Sequence, residues 1–535
     1  MLRCSLAACI LLTTAAIGLA QSTRPLNYNV RDFGAIGDGK ALDTNAINNT
    51  IDAAAAAGGG TVEFPPGTYR SYSIHLQSNI TLYLAQGATL LAADSPAVRY
   101  GRGRRGAATF PATAPASRPT GPTYDLAEPN DAAGTYQDFG HSHWHNSLIW
   151  GENLTNISIT GPGTIDGVGL SRMANANSLG VGNKAIGLKS CRNVTIRDIS
   201  IYRAGHFGIL ATGVDNLTID NIKIDTNRDG MDIDCCQHVN ITNTTINSPN
   251  DDGLVLKSSF ALGTTRPTED VTISDCHLSG YDVGSVLNAT YTTNLDSAPD
   301  GDGPTGRIKI GTETIGGFKN INIFDCVFNH CRGLALESVD GSTIENVTVS
   351  NIAMHDVLSA PIFIRLGFRM RAPDGTPIGS IRNINISNIE ADNAEPFYSC
   401  IITGTPGHDI QDVHLNNIHI TYQGGGPKEL AKRILPEYPD DYPEPSMFGN
   451  APAYGFFLRH VAGIDLGNIQ LNYIKDDNRP PFILEDVKDS DFQNINAQHA
   501  PDVPTFVLRK VKDFTERNSA NLPTTQESQP NTNSF

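Results

Sequence analysis

Positive charge is scarce in this chain. Against 56 Asp and Glu stand only 39 Lys and Arg, a formal net charge of −17, and the one basic block is RGRR at Arg102 to Arg105. Nucleic acid is therefore not an expected partner, because a polyanion needs clustered cations. An anionic polysaccharide would also meet overall repulsion, although local cations outweigh a field that salt screens beyond ~8 to 10 Å. Long apolar runs are equally scarce. A bilayer span needs ~20 residues, and no segment after the N-terminus qualifies, so no membrane anchor is expected. Cysteine is too sparse for a fully paired framework: of nine, Cys4 and Cys9 fall in a leader-like segment, and the seven left are odd in number. Cys191, Cys236, Cys276 and Cys326 lie on repeated segments, where they are expected to pack as small buried residues. The vicinal Cys235-Cys236 pair has no assigned role. A complete metal-ligand set is missing too. HSHWH places His141, His143 and His145 on one face of a possible strand, at a spacing suited to zinc, with Trp144 opposite, but no acid or thiol stands nearby in sequence. Asp300 and Asp302 fit no full calcium loop. No metal or cofactor is expected.

What the chain has is a repeat. CRNVTIRDISI, VDNLTIDNIKI and CQHVNITNTTI start at Cys191, Val214 and Cys236, offsets of 23 and 22 residues. Each is a β-branched run with alternating polar positions. The pattern returns from Thr268, Phe318, Ile344, Ile381 and Ile410, with an earlier copy in LTNISITGPGTI. Self-similarity at this period means stacked units that bury a common core and push insertions out as loops. One all-β domain is predicted, a single-stranded right-handed parallel β-helix, with recurrent Asn forming amide ladders between coils. Solenoids grow by adding coils, so 535 residues suit a single domain.

The ends and loops follow from local signals. Met1 to Ala20 has Arg3, an apolar stretch and Gly18-Leu19-Ala20 before Gln21. That pattern predicts a signal peptide over 1–20 and a secreted or periplasmic protein, whose charge after loss of Arg3 is −18. ALDTNAINNTIDAAAAAGGG spaces Ile47, Ile51, Ala54 and Ala55 as a helix, N-capped by Asp43 or Thr44 and stopped at Gly58, which caps the first coil. The β-helix is expected over 21–514, with long loops from Ala97 to Gly140 and from Gly424 to Pro452, and a disordered tail over 515–535. A monomer is expected.

Asp229, Asp251 and Asp252 carry the chemistry. They are separated by 22 and 23 residues, one coil, and coils rise roughly 4.8 Å, so these carboxylates become neighbours. NVRDFGAIGDGKALDTNAI, GGGTVEFPPGTY, GPGTIDG, NRDGMDID and NDDGLVLKSS together resemble glycoside hydrolase family 28, the polygalacturonase family of pectin-degrading, pectin lyase-like β-helices, in its bacterial exo-acting-like branch. The resemblance runs roughly from Asn27 to Val511, and its two Asp motifs are the specific part. It implies inverting hydrolysis of plant cell-wall pectic polysaccharide or oligosaccharide, with Asp251 as general acid and Asp229 and Asp252 holding the attacking water. Crowded carboxylates raise one pKa, which keeps an acid protonated without any metal.

Strand parity puts Met231 and Ile233 beside Leu254 and Leu256 inside, with Asp232 and Asp234 beside Val255 and Lys257 outside, so Asp234 and Lys257 are expected to pair. Lys257, Asp232, His206, Arg307, Lys309, Glu313 and Glu337 are the candidate substrate-binding residues. The family's Gly-His-Gly one coil later finds no His here, and its Arg-Ile-Lys on the coil after that is expected to fall on GLALES, with Ala335 and Glu337. A bidentate cation is the natural partner of a sugar carboxylate, so a Glu there argues for relocated recognition, by Arg307, Lys309 or Arg365, or for a different sugar. The insertion from Tyr281 to Thr305 is expected to close one end of the cleft and favour exo cleavage. A polysaccharide lyase on the same fold and a noncatalytic glycan-binding β-helix are the alternative readings.

Overall fold

The computed structural model describes residues 27–95, 122–172, 180–519, 522–529 and 531–535. The predicted leader, and most of the Arg102 to Arg105 loop, lie outside the described residues. Strands in successive coils pair in parallel with one-to-one register over long stretches: Val194 beside Leu217, Leu217 beside Val239, and Val239 beside Val271. The neighbouring inward position is as regular, running Ile196, Ile219, Ile241, Ile273 and Ile323. Alternation along a strand sends every second side chain inward, and identical coils stack those side chains into one continuous buried column. This is the predicted parallel β-helix.

The asparagine ladder is present, and its cause is local. Asn156, Asn193 and Asn216 each hold a left-handed backbone, φ of 57°, 56° and 53°, where Asn is among the few tolerated non-glycine residues. That turn aims each amide along the solenoid axis. Asn156 donates to Asn79 at 2.8 Å, Asn193 to Asn156 at 2.9 Å and Asn216 to Asn193 at 2.9 Å. A second ladder links Asn351, Asn388 and Asn417 in the same way.

Helix Thr44–Ala56 caps the first coils, burying Ile47, Thr50, Ile51 and Ala54. Its N-cap is Asp43, but that carboxylate accepts from Ile36 and Gly37 amides and not from the helix. The expected disordered tail is corrected. Within 515–535, strands Thr525–Glu527 and Asn531–Ser534 fold back antiparallel onto strand Phe506–Arg517 and cover the last coil. A polar composition hid this, because edge strands need backbone pairing more than apolar side chains. The seven cysteines outside the leader-like segment are all free and buried.

The ladder yields a test. Asn193→Ala loses both ladder bonds and keeps a strained turn, so it should destabilise by about 1–3 kcal/mol, whereas Asn193→Gly relieves the turn and should cost less. Thermal unfolding of both variants checks the order.

Candidate functional site

The three acids come together where the coils turn into one sheet. Met231 pairs with Leu254, so Asp229 and Asp252 occupy the same position of adjacent coils, and the Gly230 amide donates to the Asp252 carbonyl at 3.1 Å. The glycine after each acid has a packing reason. A Cβ on Gly230 would lie 2.4 Å from the Gly253 carbonyl oxygen, and one on Gly253 would lie 2.7 Å from that of Gly306. The Asp-Gly pairs are thus where coils approach too closely for any side chain.

Their environments differ sharply. Asp229 is 5% exposed, its Oδ1 has no hydrogen-bond partner, and burial followed by the charges of Asp251 and Asp232 pushes its carboxyl well above the usual range. Asp252 is equally buried, yet Lys309 and Arg307 outweigh burial and hold it well below that range. Arg307 Nε donates to its Oδ1 at 2.8 Å, and Lys309 Nζ lies 3.5 Å from Oδ2. Asp251 is the most accessible of the three, with a 27% exposed side chain, and it pairs with Arg228 at 2.5 Å. Two adjacent carboxyls whose surroundings push one up and hold the other down are the elements of general acid and general base chemistry.

Of the seven predicted binding residues, six converge beside these acids. Lys257 and Asp234 are register partners on adjacent coils, as expected, but their side chains form no ion pair. A register shift between Leu256 and Ser258 adds residues on the facing strand and presents Glu313, whose carboxylate meets Lys257 at 2.6 Å. Lys257 also lies 3.6 Å from Asp232, while Asp234 accepts from the Ser259 hydroxyl at 2.6 Å. The coil expected to carry Arg-Ile-Lys holds Ala335 and Glu337, and the cations stand one coil earlier. Leu254 pairs with Ile308 and Val255 with Lys309, so Arg307 and Lys309 stand on the coil immediately after the acid pair, and Ala335 with Glu337 one coil further on. Glu337, fully buried, lies 3.3 Å from Lys309, and burial drives its carboxyl up to about 7. His206 is the exception. It is 2% exposed, bonded to the Arg172 carbonyl at 3.0 Å, and its ring lies 6.4 Å from that of His141, while burial holds its imidazole well below the ordinary value. Arg365 likewise serves the scaffold, donating to the carbonyls of Gly404, Glu437 and Tyr438.

Three contributors escaped the sequence analysis as site residues. His141 sits in the short helical turn Phe139–Ser142, not on a strand, and its Nε2 lies 3.0 Å from Asp232 Oδ2. His141, Asp229 and Asp232 offer atoms all within 4.8 Å of one another. An imidazole is thus brought beside the acids from 91 residues upstream of Asp232. Arg228 was visible as part of NRDG, but nothing in the motif marked its side chain. Glu444 comes from the long loop after strand Ile410–Gly424 and meets Arg307 and Arg332. The insertion from Tyr281 is pinned at its base by Asp225, which accepts from the amides of Gly284, Val286 and Leu287.

The raised Asp229 has a stability consequence. A carboxyl whose folded-state value lies above its unfolded value favours folding fully below about 3.8, and that contribution is lost as pH rises through the folded value. Asp229→Asn should therefore raise the melting temperature at neutral pH, with the gain vanishing as pH falls toward 3.8. Melting curves across pH check it, and equal gains at all pH values would contradict it.

Comparison with known proteins places this geometry. The sequence profile for glycosyl hydrolases family 28 matches residues 131–295, which contain all three acids, and a profile for rhamnogalacturonase A/epimerase, pectate lyase-like, matches residues 27–95. A probable polygalacturonase of Vitis vinifera is 27% identical over 277 residues, 48% of this chain and 49% of that protein, so the chain spans about half of that relative's length. Among solved structures, the family 28 exopolygalacturonase of Yersinia enterocolitica superposes with a TM-score of 0.61 at 18% identity, covering 89% of this chain and 80% of its own. The hyperthermoactive exopolygalacturonase of Thermotoga maritima gives 0.58 at 18%, covering 84% and 92%. The shared fold with these two proteins is the right-handed parallel β-helix. Fold, acid motifs and profile thus agree in making the acid-bearing stretch 131–295 similar to glycosyl hydrolases family 28.

Proposed function

We propose that this chain is an exported glycoside hydrolase that cleaves glycosidic bonds of pectic polysaccharide or oligosaccharide with inversion, acting from chain ends. The observation that carries the reading is the split environment of adjacent acids: Asp229 is buried with one oxygen unpartnered and its carboxyl pushed up by burial and neighbouring carboxylates, whereas Asp252 is gripped by Arg307 and Lys309, which hold its carboxyl down. Inversion needs a proton at the departing oxygen and a carboxylate that activates water on the opposite face of the sugar.

Asp251 is assigned as the acid because it alone of the three opens substantially to the cleft. In the free chain Arg228 occupies its carboxylate. A glycosidic oxygen arriving there takes the place of the guanidinium and receives its proton from the Asp251 carboxyl. Asp252, with Asp229 beside it, orients the attacking water and accepts its proton. Arg307 and Lys309 keep Asp252 charged throughout. Action at chain ends is supported by the two long segments, 281–305 and 425–455, which are tied together beside the acids through Arg332, paired with Asp300 of the one and Glu444 of the other.

Asp251→Asn should leave folding intact and lower kcat by about 10²–10⁴-fold, the usual worth of a positioned acid. Incubation with homogalacturonan, rhamnogalacturonan and neutral oligosaccharides, with products resolved by size and anomeric configuration, tests the whole reading. Release of single terminal units with inverted configuration is expected. Unsaturated products, or ligand retention without new reducing ends, would replace it by a lyase or a binding protein.

A further inference from the structure

We propose that Glu444 is the specificity-determining residue of this cleft: it fills, from within the chain, the carboxylate seat made by Arg307, Lys309 and Arg332, so that the sugar bound beside Asp252 is an uncharged one. The inference rests on the reading of the cleft as a sugar site, and adds the class of sugar it accepts there.

Three cations around one point normally await an anion. Here the anion is built in. Glu444 Oε1 pairs with Arg307 Nη2 and lies 3.5 Å from Lys309 Nζ, while Oε2 lies 3.2 Å from Arg332 Nη1. The carboxylate is 11% exposed. Each cation also has a second acid: Asp252 at 2.8 Å from Arg307, Glu337 at 3.3 Å from Lys309, and Asp300 at 2.8 Å from Arg332. The seat is compensated before any ligand arrives. A sugar carboxylate entering it would be brought against Glu444, Asp252 and Glu337 in a buried setting, where like charges repel strongly and each must be desolvated. A hydroxyl or a methyl ester meets no such opposition.

Glu444 is not a gate that swings aside. It stands between Pro443 and Pro445, whose rings fix the backbone. Upstream, Arg459 donates to the carbonyls of Leu435 and Pro436 at 2.7 and 2.9 Å, Arg365 to those of Glu437 and Tyr438 at 2.7 and 3.0 Å, and the Phe368 amide to that of Pro439 at 2.7 Å. Downstream, Phe448 is fully buried in an apolar cluster with Phe363, Ile401 and Phe457. The segment is nailed to the outer face of the sheet on both sides of the acid. Tyr442, 53% exposed, lies with its ring 5.1 Å from Lys309 Nζ and offers a flat apolar face to the C–H side of a sugar.

The experiment measures binding, so that it does not depend on turnover. Calorimetric titration of Asp251→Asn protein with a galacturonate trimer and with its fully methyl-esterified form should give at least about tenfold tighter binding of the ester. Adding Glu444→Gln, which keeps the shape and removes the charge, should cut that preference by about tenfold or reverse it, while Glu444→Asp should retain it. Equal or tighter binding of the acid by the parent, an unchanged ratio in the Gln variant, or binding of neither trimer would overturn the proposal. Absence of hydrolysis by the wild-type chain, with the ester preference and its loss in the Gln variant intact, would strike the hydrolase reading alone.

Discussion

Everything in this molecule depends on coils stacked in register at the spacing of parallel strands, roughly 4.8 Å. That distance is too short for two carboxylates to ignore each other and too short for side chains at the tightest turns. Both effects meet at one place. Gly230 and Gly253 let the turns close, and closing them sets Asp229 beside Asp252 in a pocket with little water. The like-charge repulsion that would destabilise an ordinary surface becomes the means of holding a proton. A buried scaffold of compensating ions then decides which acid keeps it. Arg307 and Lys309 act on Asp252, whereas Asp229 has burial and two neighbouring carboxylates against it.

The same constraint explains what could be read from residues alone. The repeat of 22 and 23 residues is the length of a coil, so a pattern in sequence translated directly into neighbours in space, and Asp229, Asp251 and Asp252 were legible for that reason. The asparagine ladder was legible because its residue type is tied to a left-handed turn at a fixed point of each coil. Inward and outward faces followed from alternation, including Met231 with Leu254 and Ile233 with Leu256.

Apart from Arg228, which keeps the 23-residue spacing to Asp251, what escaped does not obey the coil period. Glu313 reaches Lys257 only because the strand pairing shifts between Leu256 and Ser258, and an offset of that kind leaves no periodic trace. Arg307 was assigned no fixed place because the 281–305 excursion interrupts the count before it. His141 and Glu444 arrive on loops from 91 and 137 residues away from their partners, and loop paths are set by tertiary packing. The C-terminal strands were missed for a related reason: polar residues pair along a sheet edge through backbone alone.

Those last strands fix how such a molecule can vary in length. Asn531–Ser534 runs antiparallel along Phe506–Arg517, occupying the hydrogen-bonding edge that another parallel winding would require. At the opposite end helix Thr44–Ala56 lies over the first windings. Growth by appending units is thereby blocked at the C-terminal boundary, and new sequence enters most easily between existing windings as an outward excursion. Diversity in a lineage of such chains would then gather along the rim of the groove, where excursions such as 281–305 and 425–455 emerge, while the stacked interior stays constant.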